Sequence, residues 1–259
     1  MTDTLTQLLE NALDLVDCCY YSAFPSRPGK GMPSLVGALS RSVAFPIIAE
    51  VKTSAPIRGR VSEHKPLDLI ACYHRGSAAA LSVLTEPIFF GGGLNALRAA
   101  ADGRTPVLMK DVVVSQEQVM AGASRGASAV LLIESALSHP LARARADVLI
   151  DLAHREGMEV VLEASTEAEL LVAMERDADV IGINQRDLRT MRLDGELASD
   201  LLRRFRPSCA KPMIVMSGIT SKYQLVRLRD LGADGALVGT HLASSSDPEL
   251  ALRALEVPR

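Results

Sequence analysis

Eight short apolar runs, rich in β-branched residues, recur along this chain and are separated by helical stretches. The runs cover residues 45–52, 79–84, 106–110, 129–133, 159–163, 180–184, 213–217 and 235–238. Strands that alternate with helices run parallel, because each helix returns the chain to the same end of the sheet. Eight such units over about 200 residues predict a closed (β/α)8 (TIM) barrel rather than an open doubly wound sheet.

Apolar periodicity places the helices of this barrel and of the segment that precedes it. Helices are predicted at residues 4–20, 140–155, 167–176, 222–231 and 248–255. Gly126 and Gly232 each come just before a strand, where a glycine suits the end of a helix. Residues 24–32 contain proline and glycine and are expected to form a linker or lid. We therefore expect an N-terminal helical extension and linker at 1–44, followed by the barrel at 45–259.

Charge and cysteine usage exclude several classes of protein. The net charge of −3 offers no surface for nucleic acid. No apolar run approaches the ~20 residues of a membrane helix, and the acidic N-terminal segment is unlike a signal peptide. The four cysteines form no C-x-x-C pair and the five histidines are scattered, so no metal site is expected. These features predict a cytoplasmic protein, either a monomer or a weak homodimer, with no membrane partner.

Ionisable residues close several of the predicted strands, and in such barrels the active site lies where the strands end. Glu50 and Lys52 end the first strand, Lys110 the third, Glu163 the fifth, and Asn184 the sixth. Only six of the 28 basic residues are lysines, yet two of the six lie at strand ends. A desolvated lysine can release a proton near neutral pH, whereas an arginine cannot. The pattern predicts proton transfer at the mouth of the barrel, although a strand-end lysine can also be merely solvated.

The turns after the last two strands predict a phosphate site. Ser217-Gly218 and Gly239-Thr240 offer small side chains, backbone N–H groups and hydroxyls. Barrels often bind phosphate at these two turns, together with the N-terminus of a short extra helix, and such a helix is expected after Thr240. The alternative is that both are ordinary turns that need glycine.

Two further residues are candidates for substrate binding. Phe90 precedes a run of glycines and could stack on an aromatic substrate, or it could be a packed aromatic beside a flexible turn. Arg186 could clamp a carboxylate, or it could form a surface ion pair.

Several phrases, in this order and at this spacing, resemble indole-3-glycerol-phosphate synthases over about residues 45–255. The phrases are Pro46-Ile-Ile-Ala-Glu-Val-Lys52, Leu81-Ser-Val-Leu-Thr-Glu-Pro87 with Phe89-Phe-Gly-Gly92, Pro106-Val-Leu-Met-Lys-Asp111, Val130-Leu-Leu-Ile133, Ile181-Gly-Ile-Asn184 with Arg186-Asp-Leu188, and Ser217-Gly-Ile219. The resemblance implies a phosphorylated substrate, 1-(2-carboxyphenylamino)-1-deoxyribulose 5-phosphate. The family closes the indole ring of this substrate with loss of carbon dioxide and water, and uses no cofactor.

The same resemblance implies a role for each strand-end residue. Lys110 would be the general acid in ring closure, and Glu163 the base that takes the final proton. Lys52 would hold the substrate carboxylate and assist dehydration, Glu50 would keep Lys52 or Lys110 charged, and Asn184 would orient the substrate. Phosphate would bind at the two turns described above.

The chain departs from the family pattern around this site. Thr53-Ser-Ala-Pro-Ile57 replaces a basic residue and a Ser-Pro-Ser stretch, Val112 replaces an aromatic residue, and Met216 replaces a glutamate. Three interpretations stay open: a working synthase, a paralogous phosphate-binding barrel with an altered substrate, and a non-enzymatic paralogue that binds a ligand or partner. Retention of Lys110, Glu163 and Asn184 argues against the third.

Overall fold

The computed structural model describes residues 3–22, 31–56 and 59–259, and within them eight of the ten strands close into a parallel barrel, while Ser54–Ala55 and Gly59–Arg60 form a separate antiparallel pair. The eight strands are β1 Ile47–Val51, β2 Ala80–Leu84, β3 Val107–Lys110, β4 Ala129–Ile133, β5 Glu159–Ala164, β6 Val180–Asn184, β7 Met213–Met216 and β8 Gly235–Val238. Each strand pairs with its neighbour in the chain, and β1 pairs with β8 to close the ring. The predicted barrel is confirmed, and every predicted run is one of its strands.

Alternation along the strands separates two buried clusters. Ile48, Leu108, Leu131, Val161 and Ile214 belong to the cluster that fills the barrel interior. The neighbouring positions on these strands point outward and pack against the surrounding helices. Because all eight strands of the barrel run parallel, the polar residues at their carboxyl ends come together at one end of the barrel.

Helices follow the strands and surround the barrel. They are α3 Pro66–Arg75, α4 Leu94–Ala100, α5 Gln116–Ser124, α6 Glu134–Leu137, α7 Ala146–Arg155, α8 Glu167–Glu175, α9 Leu197–Phe205, α10 Lys222–Asp230, α11 Thr240–Ala243 and α12 Pro248–Ala254. Gly126 and Gly232, just beyond the ends of α5 and α10, have φ of +82° and +89°. A left-handed φ is typical of the residue that ends a helix, which is the position predicted for both glycines.

Two predicted helix boundaries were wrong for local reasons. The helix predicted at 140–155 begins only at Ala146, because the backbone N–H groups of Arg143 and Ala144 both donate to the Val114 carbonyl, at 3.1 Å, and hold that segment as a loop. The helix predicted at 4–20 ends at residue 17, shortly before Cys19, which has φ of +63°. The linker predicted at 24–32 lies outside the described residues except for its last two.

The N-terminal extension covers both ends of the barrel. Helix α1 (Thr4–Asp17) lies at the mouth, where its Leu8 lines the same cavity as Lys110. Helix α2 (Leu35–Arg41) lies at the opposite end, where its first backbone N–H groups donate to the carboxylate of Glu159, the first residue of β5. The division of the chain at residues 44 and 45 stays a prediction. Among the described residues, no helix is both long enough and apolar enough to cross a membrane.

Candidate active site

A cavity of about 510 Å³ opens at the mouth of the barrel. Its lining includes all eleven residues proposed from the sequence: Glu50, Lys52, Phe90, Lys110, Glu163, Asn184, Arg186, Ser217, Gly218, Gly239 and Thr240. Four of these residues lie in β1, β3, β5 and β6, and the others follow the ends of strands. Closure of the barrel therefore brings together residues that are far apart in the sequence.

Two lysines and two glutamates form a charged cluster at the base of this cavity. The Lys52 ammonium lies 3.4 Å from Glu50 Oε1. The Lys110 ammonium lies 4.0 Å from Glu50 Oε2 and 3.7 Å from Glu163 Oε2. The glutamate side chains are only 6% and 2% exposed, and the lysines 17% and 18%. Isolated charges would be costly to bury at this depth, and the alternation of sign offsets that cost.

Asn184 orients the Glu163 carboxylate. Its Nδ2 donates to Glu163 Oε1 at 2.6 Å, and its Oδ1 accepts the backbone N–H of Arg186 at 2.9 Å. Within the described part of the chain, the buried Glu163 Oε2 accepts no hydrogen bond, and it lies 3.7 Å from the Lys110 ammonium. An acceptor oxygen held in this way can take a proton from a bound molecule.

Asp111, beside Lys110, anchors the N-terminal extension to the site. The buried carboxylate accepts hydrogen bonds from the Tyr21 hydroxyl at 2.9 Å, the Val112 backbone N–H at 2.8 Å, and the Thr85 hydroxyl. Burial raises the pKa of Asp111 to about 6, although the hydrogen bonds from Thr85 and Tyr21 act to lower it. Asp111 was not among the predicted site residues, because the sequence pattern near Tyr21 does not indicate this contact.

Ser217 and Gly218 form a tight left-handed turn after β7. Their φ angles are +70° and +76°, and the first of these is uncommon for a residue with a side chain. The Gln185 side chain donates to the Ser217 carbonyl at 2.7 Å and helps to hold the turn. Gln185 was not among the predicted site residues, although it directly follows Asn184.

The end of β8 approaches the charged cluster closely. A Cβ atom at Gly239 would lie 2.3 Å from Glu50 Oε1, so any larger residue here would displace the Glu50 carboxylate. Thr240 follows and begins the predicted short helix α11. The two turns predicted to bind phosphate therefore lie side by side at the mouth.

The rest of the lining is largely apolar. The Phe90 ring centroid lies 5.9 Å from the Lys52 ammonium, and Arg186 donates to the Met191 carbonyl at 2.8 Å. Apolar lining side chains include Leu8, Leu84, Val112, Ile133, Leu188, Leu193 and Leu237. This combination suits a ligand with an apolar ring and separate anionic groups.

Met216 is almost fully buried where it meets the cavity. It is 1% exposed, and its Cε lies 2.5 Å from where a Cβ would be on Gly182. The thioether therefore occupies the space above this glycine in the barrel interior.

Comparisons with known proteins give one consistent result. A sequence model described as indole-3-glycerol phosphate synthase matches residues 29–255. An indole-3-glycerol phosphate synthase of Methanopyrus kandleri is 39% identical over 234 residues, covering 88% of this chain and 89% of that protein. Indole-3-glycerol phosphate synthase 2 of Streptomyces coelicolor is 37% identical over 220 residues, covering 84% and 83%.

Solved structures support the fold alone. A mutant tryptophan synthase α-subunit from Pyrococcus furiosus superposes with a TM-score of 0.61 at 16% identity, over 83% of this chain and 99% of that one. The N-acetylmannosamine-6-phosphate 2-epimerase from Clostridium perfringens gives 0.62 at 16% identity, over 81% and 90%.

Proposed function

The chain belongs to the indole-3-glycerol phosphate synthase family, and on that premise we propose the role of each site residue in ring closure. The enzyme is a carboxy-lyase of tryptophan biosynthesis. It converts 1-(2-carboxyphenylamino)-1-deoxyribulose 5-phosphate to indole-3-glycerol phosphate, carbon dioxide and water. The observation that carries the division of roles is the position of Lys110 between the carboxylates of Glu50 and Glu163, at 4.0 and 3.7 Å.

In the first step, Lys110 acts as the general acid. The ring carbon that bears the carboxylate attacks the ketose carbonyl carbon, and the electron pair of the C=O double bond moves to oxygen. Lys110 donates a proton to that oxygen, which becomes a hydroxyl. Glu50 pairs with both lysines and stabilises their ammonium groups before the proton moves.

Carbon dioxide and water leave in the next steps. Lys52 holds the substrate carboxylate, and cleavage of the bond to this group returns its electron pair to the aromatic ring. The hydroxyl leaves as water with a proton that Lys52 supplies. Glu163, held by Asn184, then takes a proton from the adjacent CH2 carbon, and the indole double bond forms. The two lysines give up two protons and Glu163 gains one, so one proton comes from solvent in each turnover.

The apolar wall and Arg186 bind the rest of the substrate. Phe90 packs against the aromatic ring beside Lys52, while Asn184 helps to orient the substrate next to Glu163. Arg186 adds a positive charge for an anionic group of the substrate. We propose a monomer or a weak homodimer as the working form.

The phosphate group binds at Ser217, Gly218, Gly239 and Thr240. We expect Ser217→Asp to raise KM at least tenfold, which corresponds to about 1.4 kcal/mol of lost binding. The new carboxylate would repel the phosphate, while aspartate tolerates the left-handed backbone of this position. Steady-state kinetics would measure the change, and inorganic phosphate should compete with the substrate. Ser208→Asp is the matched control, because it adds the same charge at an exposed serine before β7, at the other end of the barrel. Its KM should equal that of wild type. If KM is unchanged in Ser217→Asp, phosphate binds elsewhere.

Met216 is the departure from the family pattern that bears most directly on the chemistry. Methionine cannot accept a charge-assisted hydrogen bond from a neighbouring cation. We therefore expect Met216→Glu to raise kcat/KM, by at most ~10²-fold for one interaction of ~1.5–3 kcal/mol. Met216→Gln has a similar length without the charge and serves as the matched control. If the glutamate leaves kcat/KM unchanged or lowers it, the site is built around methionine, and related ribulose phosphates should be screened as substrates.

The experiment that tests the proposed function is an assay of the purified protein with the anilino-ketose phosphate. Formation of the indole product is followed by its fluorescence. Because the chain contains no tryptophan, the protein adds little background. We expect a signal that saturates with substrate concentration.

A further inference from the structure

The Glu86 carboxylate lies outside the machinery described above and is almost fully buried, at 1% exposure. It follows β2 and accepts four hydrogen bonds. The donors are the backbone N–H groups of Ile88, Phe89 and Phe90, at 2.6, 2.7 and 2.9 Å, and the Asn11 side-chain amide of α1, at 2.9 Å. Three consecutive N–H groups converge on one carboxylate, and this fixes the path of the loop that carries Phe90.

This loop is in turn bonded to the segment that follows Lys52. The Ser54 backbone N–H donates to the Phe90 carbonyl at 3.1 Å, and the Thr53 hydroxyl donates to the Gly91 carbonyl at 2.8 Å. A Cβ at Gly91 would lie 2.6 Å from the Thr53 hydroxyl, so the two loops pack closely. Thr53 stands where the family pattern has a basic residue, so its hydroxyl contact is a feature of this chain.

We propose that Glu86 is a positioning residue, which holds Phe90 and the Lys52 loop in register for the carboxyphenyl group of the substrate. Through Asn11, this arrangement also depends on helix α1. The inference rests on the substrate-binding roles proposed for Phe90 and Lys52. Glu86 itself contacts neither Lys110 nor Glu163 through any hydrogen bond or ion pair within the described residues.

Glu86→Gln separates positioning from catalysis. A glutamine keeps the shape but turns an NH2 group toward two of the four donors, whichever way the amide points. The loop must then move, while the acid and base at Lys110 and Glu163 keep their contacts. We expect KM to rise roughly tenfold and kcat to stay within about threefold of wild type, the pattern of lost uniform binding.

Glu159→Gln is the matched control, because it also removes a carboxylate that holds backbone N–H groups. Glu159 accepts hydrogen bonds from the backbone N–H groups of Leu35 and Val36, at 2.6 and 3.0 Å, at the end of the barrel opposite the mouth. We expect this variant to lower Tm without a change in KM. Asn11→Ala removes a single donor to Glu86 and should raise KM in the same direction as Glu86→Gln, but by less.

Amide hydrogen exchange tests the same link without substrate. In Glu86→Gln, the Ser54 amide should exchange faster, because its acceptor is the displaced Phe90 carbonyl, while the Val36 amide at the other end should keep its protection. Unchanged exchange at Ser54 would overturn the inference, as would an equal rise in KM in Glu86→Gln and Glu159→Gln. Absence of ring closure in the wild-type protein is a different result, which would overturn the proposed function and leave the exchange experiment to decide the link between the loops.

Discussion

Lys110→Met is expected to lower kcat for ring closure by ~10²–10⁴, the usual effect of losing a positioned general acid. Methionine preserves the length of the side chain but has no proton to donate to the ketose oxygen. Because ring closure comes first, release of carbon dioxide and formation of indole should fall together. Substrate binding should change less, since Lys52 and the phosphate turns remain.

Stopped-flow and steady-state kinetics on Lys110→Met would measure this loss, and circular dichroism would show that the fold survives. Lys65→Met is a matched control, since Lys65 is exposed and precedes α3. It should turn over like wild type. A Lys110→Met variant with near wild-type kcat would rule out Lys110 as the acid.

Glu163→Gln is expected to lower kcat by a similar ~10²–10⁴, and far more than it raises KM. Glutamine can still accept the hydrogen bond from Asn184, so the shape of the site is retained. The amide cannot take the final proton from the CH2 carbon. Carbon dioxide should therefore leave before the block, and its release in a single turnover should run ahead of indole formation.

Quenched single-turnover reactions, sampled for both products, separate this variant from Lys110→Met. If KM rises alone in Glu163→Gln, this residue binds substrate and is not the base. If both products are delayed equally, Glu163 acts at or before ring closure.

The barrel and the position of the site residues could be predicted because both depend on local periodicity. Apolar runs of strand length, alternating with helices, leave few topologies, and a closed parallel barrel gathers the strand ends at one mouth. For this reason Lys110 and Glu163, 53 positions apart in the chain, could be assigned to one site. The glycines after α5 and α10 were predictable for the same local reason.

Contacts made by the N-terminal extension could not be predicted in this way. Tyr21 reaches Asp111 across 90 positions and Asn11 reaches Glu86 across 75. Neither contact follows from periodicity, because each depends on how α1 lies across the mouth of the barrel. Similarly, helix α7 begins at Ala146 and not at residue 140. The Val114 carbonyl, on another loop, accepts hydrogen bonds from the backbone N–H groups of Arg143 and Ala144, which were predicted to be helical.

The packing of Met216 over Gly182 is a further detail that the strand pattern could not give. Alternation along β7 predicts only that residue 216 faces the barrel interior. Its contact with Gly182 depends on the register of β6 against β7 and on the absence of a side chain there.

Ring closure with loss of the substrate carboxyl group can be measured with wild-type protein and substrate labelled with ¹³C in that group. Product formation is followed by fluorescence and the released gas by mass spectrometry. We expect one labelled carbon dioxide for every indole-3-glycerol phosphate formed, at a rate that saturates with substrate. Consumption of the substrate without labelled carbon dioxide, or no turnover at saturating concentration, would contradict the proposed function.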